Sequence, residues 1–288
     1  MKLIQQQRFD EERALYGSEE LLLKNCAFDG PADGESALKE CRNITVEHGF
    51  FNLRYPCWHD HGLVLRDSEM TERCRAALWY SDRITVENTR LYGIKALREC
   101  SGVSLKGCDI RSAEFGWSVR GITMENCTAE SQYFMMRAKD LRFTDVRLKG
   151  KYSFQYIENA VFERCAFDTK DAFWHAKNVV VRNSVVKGEY LAWYSEDLTF
   201  ENCKIIGTQP LCYCKGLKLI HCEMIGCDLA FERSEVEADV TTPVVSIKNP
   251  IKGRITVPAV GEVIRDIPGA KGEIVVTGGQ CSKTCACA

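Results

Sequence analysis

The sequence predicts an all-β chain: a single right-handed parallel β-helix of about 19 residues per rung, with a short helical cap at the N-terminus. Three observations predict it. Apolar pairs recur every 19 residues, the spacing within each pair is two, and Gly, Asn and Asp return at fixed corners. The pairs run Ile84/Val86, Val103/Leu105, Ile122/Met124, Leu141/Phe143, Ala160/Phe162, Val179/Val181, Leu198/Phe200, Leu217/Leu219, Val236/Ala238, Ile255/Val257 and Ile274/Val276. All 22 positions are apolar; at 45% hydrophobic content one preset register does this by chance about 2 times in 10^8. Ile44/Val46 and Leu63/Leu65 extend the register upstream, with a two-residue insertion before Ile84.

Each unit reads as three short strands. The first carries the apolar pair, inward at alternate positions as in a half-buried strand. The second carries Cys108/Ile110, Cys127/Ala129, Val146/Leu148, Cys165/Phe167, Ser184/Val186, Cys203/Ile205 and Cys222/Met224. A turn follows at Ser112, Ser131, Gly150, Thr169, Gly188, Gly207 and Gly226. The third strand centres on Gly116, Met135, Phe154, Phe173, Ala192, Leu211 and Ala230, a column with no polar member and therefore favoured as inward, while the opposite parity (Phe115, Trp117, Phe134, Met136, Ala172, Trp174, Leu191, Trp193) is apolar too, so that burial of both stays open. The closing corner holds Gly121, Asp140, Asn159, Asn178, Asp197 and Gly216, residues that tolerate left-handed backbone angles. No six-residue sub-period of a left-handed coil is present, nor the L-x-x-L-x-L pattern of leucine-rich repeats.

The predicted divisions follow. Residues 1–42 form a cap and first coil, with helix formers over 9–24; residues 43–235 form the β-helix. Residues 236–278 form altered rungs or a β-rich C-terminal cap, because Pro243 and Glu262 interrupt the second ladder. Residues 279–288 read as a disordered tail whose Cys281, Cys285 and Cys287 are a weak metal candidate.

The 288 residues include 16 cysteines, 38 basic and 40 acidic side chains. Near-neutral charge argues against a general nucleic-acid binder. No apolar run is long enough for a membrane helix, and no signal-peptide h-region opens the chain. The expectation is a cytoplasmic protein with reduced cysteines, no nucleic acid and no membrane. No C-x-x-C occurs, so no cluster or cofactor is implied. Cys108, Cys127, Cys165, Cys203 and Cys222 share a column with Val146 and Ser184, where a compact core residue is required.

Residues that the ladder does not explain are the functional candidates. The third-strand face around 149–194 gathers Arg137, Lys151, Tyr152, Tyr156, Lys170, Trp174, Tyr190, Trp193 and Tyr194 as candidate substrate-binding groups. Same-column neighbours there are Tyr152, Asp171 and Tyr190, and also Arg137, Tyr156, His175, Tyr194 and Tyr213. Asp168, Asp171, His175 and Glu189 are the candidate catalytic groups. Carboxylate pairs serve glycoside hydrolysis, and a His or Lys base serves a lyase reaction. A second candidate region, Arg54 to His61, offers Cys57, His59 and His61 with Cys74 from the next unit as weak zinc ligands.

The segments MTERCRAALWY (70–80), GIKALREC (93–100), EFGW (114–117), GKYSFQY (150–156), TKDAFWH (169–175), GEYLAWYS (188–195) and GTQPLCYCKGL (207–217) resemble an uncharacterised family, domain of unknown function 3737. The resemblance covers nearly the whole chain and implies a single right-handed parallel β-helix. It implies no activity and transfers no functional residue. A hydrogenase label attached to some members finds no support in this sequence.

Three functions follow as expectations. The first is binding or processing of a carbohydrate at the 149–194 face. The second is a non-catalytic interaction or self-assembly solenoid, a homo-oligomer joined through an exposed Trp/Tyr stripe. The third is a metal-dependent enzyme at Cys57–His61.

Overall fold

The computed structural model describes residues 1–30 and 35–278, and the backbone of Thr284–Ala286. The fold is an all-β parallel β-helix with about 19 residues per rung. The chain divides into two units, Met1–Leu148 and Lys149–Ala288. In the first unit the first-strand ladder runs in parallel from Lys2–Gln5 through Glu19–Lys24, Arg42–Glu47, His61–Arg66, Asp82–Glu87, Ser101–Lys106 and Arg120–Glu125 to Lys139–Thr144. In the second it runs from Glu158–Glu163 through Lys177–Arg182, Glu196–Glu201, Leu217–Ile225, Glu235–Val240 and Lys252–Val257 to Glu273–Val276. Among the described residues no helix is long and apolar enough to cross a membrane.

The inward column is the predicted one. Ile122, Phe162, Val179 and Val181 are fully buried, and the other predicted first-strand positions are buried as far as Val257. Ile274 and Val276 are half-buried. Rings stack along the interior, as in Phe154 over Phe173 at 5.0 Å and 13°. That spacing is close to the rung repeat of about 4.8 Å, and each such pair adds about 1 kcal/mol beyond area burial.

Two corners are lined by thiols and hydroxyls. At the first, Cys203 Sγ lies 3.3 Å from the carbonyls of Val181 and Glu201, and Ser184 Oγ donates to the Arg182 carbonyl at 2.5 Å. Ser184 Oγ also accepts the Cys165 N–H at 2.9 Å. A compact weak donor is what this column requires, which is why Cys, Ser and Thr interchange there. The second corner, three residues before each first-strand pair, holds Cys41, Asp60, Ser81 and Cys100 in the first unit and Ser195 and Cys214 in the second. All thirteen described cysteines are buried.

Three expectations are corrected. No N-terminal helical cap forms: Glu19–Lys24 is a strand of the first ladder, with Leu21 opposite Ile44 and Leu23 opposite Val46. Its helix-forming composition yields to burial of Leu21 and Leu23 against the neighbouring coils. The register also slips near the C-terminus, where Ala238 rather than Val236 faces Ile255 across a shortened rung. Gly253 fills the place opposite Val236, where an added Cβ would lie 2.1 Å from the Val236 carbonyl oxygen. Finally, the third segment is not a regular strand in the second unit. Tyr152, Phe154 and Tyr156 hold φ of 50°, 60° and 58°, and Asp171, Phe173 and His175 repeat the pattern at 53°, 62° and 55°.

Left-handed angles at every second residue remove the simple in–out alternation of a strand. The inward reading of the 116-type column holds, but its neighbours are buried as well: Ser153, Ala172 and Leu191 join Phe154, Phe173 and Ala192. The expectation of a disordered, metal-binding tail at 279–288 lies outside the described residues, except that the Thr284–Ala286 backbone pairs with Val260–Arg265.

Candidate functional site

The irregular third segment creates the site of the second unit. Left-handed angles turn some backbone carbonyls out of the ladder, and side chains from the preceding rung meet them. Trp174 Nε1 donates to the Tyr190 carbonyl at 2.6 Å, and Trp193 Nε1 to that of Gln209 at 2.8 Å. Gln155 Nε2 serves the Asp171 carbonyl in the same way at 3.1 Å. The two indoles stack at 5.4 Å and 3°. This column is therefore architectural: it satisfies backbone acceptors that the sheet leaves open.

The next column faces solvent. Tyr156, His175, Tyr194 and Tyr213 stack at 4.8, 5.2 and 4.8 Å, within 12° of parallel. Tyr156 and Tyr194 are 46% and 45% exposed. Ring faces are turned on one another, so solvent meets ring edges. The column presents a row of edges, one per rung.

Beside the rings lie the charged groups. Lys170 Nζ pairs with Glu189 at 2.7 Å, which raises the lysine above its usual pKa, and Lys187 Nζ pairs with Asp168 at 3.0 Å. Lys151 and Lys170 place their ammonium groups 4.6 and 5.1 Å from the ring centroids of Tyr152 and Tyr190. Asp171 is 6% exposed. Burial raises its pKa, and the opposing pull of Lys170 and Lys151 does not cancel that. Of the candidate catalytic groups, Asp168 and Glu189 are engaged by lysines and His175 is packed between two tyrosines. Arg137 belongs to the first unit, where it is exposed and holds φ of 58°.

The proposed zinc ligands do not converge. Cys57–Trp58 is a strand, and Cys57 points inward beside Leu78. His59 lies outside, stacked on Tyr80 at 5.1 Å, and His61 is bonded to Asp82. Burial pushes the Cys57 thiol well up and the Cys74 thiol to about 12, so neither is a ready thiolate. Among the described residues no three His, Cys, Asp or Glu side chains are placed to hold a metal ion.

Sequence reading missed a second aromatic face, in the first unit. Trp58 and Trp79 stack at 5.3 Å and 1°, and Arg98 lies between the rings of Trp79 and Trp117 at 5.1 and 5.3 Å. Each indole N–H again meets a carbonyl, those of Ala76, Lys95 and Tyr133. The signal was present as Trp58, Trp79, Arg98 and Trp117 in one column, broken by the two-residue insertion. Also missed were a groove of about 410 Å³ lined by His48, Phe50, Asp67, Glu69, Asn88 and Arg90, and the buried Asp60. Desolvation lifts the Asp60 carboxyl to about 8.

A family model described as "Protein of unknown function (DUF3737)" matches residues 2–275. No curated protein matches the chain. Among solved structures it is similar to the A-module of a mannuronan C-5 epimerase from Azotobacter vinelandii, at 8% identity and a TM-score of 0.32, covering 99% of this chain and 89% of that one. It is similar to a mannuronic acid-specific polysaccharide family 6 lyase from human gut microbiota, at 10% identity and a TM-score of 0.34, covering 95% and 85%. A tailspike protein mutant of E. coli bacteriophage HK620, in complex with hexasaccharide, gives 11% identity and a TM-score of 0.27, covering 96% and 67%. Likenesses of this size bear on neither the site nor its chemistry.

Proposed function

The chain belongs to the family of proteins of unknown function DUF3737, a membership that assigns no activity, so from the site geometry we propose that it is a non-catalytic solenoid that binds carbohydrate at the Tyr156–Tyr213 face. The observation that carries this is the exposed ring column itself, four rings one rung apart, bordered by lysines and carboxylates. A linear glycan offers hydroxyls at a regular repeat, and amphipathic ring edges beside charged hydrogen-bonding groups suit such a ligand. Binding rather than cleavage is favoured because hydrolysis needs two working carboxylates across the scissile bond. Here Asp168 and Glu189 are tied to Lys187 and Lys170.

The test is affinity electrophoresis of the full chain through gels containing neutral polysaccharides (β-glucan, mannan, galactan) or acidic ones (polygalacturonate). Retardation by at least one is expected. Tyr194→Ala should weaken it about tenfold, the loss of roughly 1.4 kcal/mol, and His59→Ala in the other unit should leave it unchanged. A folded wild-type chain that migrates freely in every gel overturns the reading. A dimer seen by light scattering and dissolved by Tyr194→Ala would favour self-assembly instead.

A further inference from the structure

Within this face lies one carboxyl that ladder packing does not use. Tyr152, Asp171 and Tyr190 occupy one column, and their N–H groups donate in turn to Lys170, Glu189 and Thr208 of the next rungs at 2.9, 2.9 and 3.0 Å. An aspartate is much shorter than a tyrosine. Set between two of them, it interrupts the tyrosine column for one rung. The ammonium groups of Lys151 and Lys170 stand over the two tyrosine rings on either side. Asp171 is 6% exposed, and among the described residues its carboxyl makes no hydrogen bond or ion pair; only its backbone is engaged, by Gln155 and Glu189. Among the described residues its oxygens are not fully enclosed, so the carboxyl reaches solvent and can take hydrogen bonds from a ligand.

We infer that Asp171 is the specificity residue of this face, accepting hydrogen bonds from two neighbouring hydroxyls of one sugar ring in an uncharged glycan. The inference rests on the carbohydrate reading above and adds the ligand class to it. Charge balance selects the uncharged class. Lys149, Lys151, Lys170 and Lys187 share these rungs with Asp168, Asp171 and Glu189. Two of the lysines are already paired with carboxylates, and Lys151 acts on Asp171 itself. Little surplus field remains to attract a polyanion, and a ligand carboxylate would meet Asp171 directly. Burial raises Asp171; Lys170 and Lys151 oppose it and Glu189 adds to it, and the neighbouring column positions are Tyr152 and Tyr190. Acceptance of two hydroxyls needs the ionised form. Binding is therefore present at neutral pH and falls on acidification, at a higher pH than an ordinary aspartate would dictate.

Isothermal titration of the full chain with neutral oligosaccharides and with oligogalacturonates, between pH 4 and 8, tests this. The wild type should bind the neutral set more tightly. Asp171→Asn should weaken that binding at neutral pH about tenfold, as for a lost charge-assisted hydrogen bond, and should flatten the acid-side decline. His175 is common to both proteins and cancels from the comparison. If Asp171→Asn binds a neutral glycan as the wild type does, the role of Asp171 falls while the carbohydrate reading stands. Tighter binding of the uronate set overturns the uncharged class. Binding of neither set overturns both. Should Asp171→Asn fail to fold by circular dichroism, the wild-type profile decides: affinity constant from pH 4 to 7 overturns the proposal.

Discussion

The two units build aromatic faces on the same segment of the rung, and they build them differently. Both have an inner column of indoles whose N–H groups meet backbone carbonyls, Trp58, Trp79 and Trp117 in the first unit and Trp174 and Trp193 in the second. The outer columns diverge. In the first unit the stack is the His59–Tyr80 pair, and the next positions are Glu99 and Ser118, with Glu99 holding Arg98 at 3.3 Å. In the second, four rings continue from Tyr156 to Tyr213. What is common to both is architecture, and what differs is the candidate for function. The corner behind each face differs too: Asp60 stands among Cys41, Ser81 and Cys100, whereas Ala176, Ser195 and Cys214 line the other.

Asp60 gives the largest expected effect. One oxygen accepts the Cys41 N–H at 2.9 Å and the other has no partner. Its folded pKa of about 8 lies above the ordinary carboxylate value. The fold therefore favours the protonated form. Stability is fully present below about pH 4, declines as pH rises, and levels off above the folded value. At 1.36 kcal/mol per unit, over a rise from 3.8 to about 8, the decline is at most about 6 kcal/mol. Asp60→Ser, which copies Ser81 and Ser195 and keeps an acceptor for Cys41, should melt higher than wild type at pH 9, with the gap closing at pH 4. A variant less stable at pH 9 would show that the carboxylate is supported there.

How much was legible follows from the same contrast. The first-strand and corner columns were readable because their members obey one rule, burial every second residue or a left-handed turn. Asp140, Asn159, Asn178 and Asp197 do sit at φ of 60°, 57°, 52° and 54°. The third segment was harder because Phe154, Phe173 and Tyr194 take positive φ without being Gly, Asn or Asp, so residue type carries no warning of it. The aromatic columns around Tyr156 and His175 were visible by spacing, but their stacking geometry was not, and stacking decides whether faces or edges meet solvent. In the first unit the insertion displaced Trp58 from Trp79 by 21 residues and hid the face altogether. The Cys-Trp-His-Asp-His run looked like a ligand cluster because a single rung's inward and outward residues are adjacent in sequence.

Substituting the indoles tests whether the inner columns are equivalent. Trp79→Phe and Trp193→Phe each keep a ring and remove the donor to the Lys95 or Gln209 carbonyl. An unsatisfied, part-buried carbonyl costs about 1–3 kcal/mol. Both variants should lose that much in urea titration, and Trp193→Phe should retain glycan binding. A loss of binding with unchanged stability at Trp193 would move that column from architecture to ligand contact and break the comparison.

The smallest effect belongs to the first corner, where the units match in composition but not in contact. In the second unit Cys203 and Cys222 each meet backbone carbonyls at 3.3 Å. In the first, Cys108 and Cys127 meet carbonyls too, and the Cys127 side chain one rung away raises the pKa of Cys108, with burial adding to it. Serine is already accepted at this column as Ser184, with its hydroxyl on the Arg182 carbonyl. Cys203→Ser should therefore shift the unfolding free energy by less than about 1 kcal/mol, because the hydroxyl inherits both carbonyls. Cys127→Ser also changes the side chain that acts on Cys108 and should cost slightly more, with most of the difference removed in Cys108→Ser/Cys127→Ser. A double-mutant cycle by urea unfolding measures that coupling directly; a coupling of zero would make the two corners equivalent and leave the outer ring columns and Asp60 as the features that set the units apart.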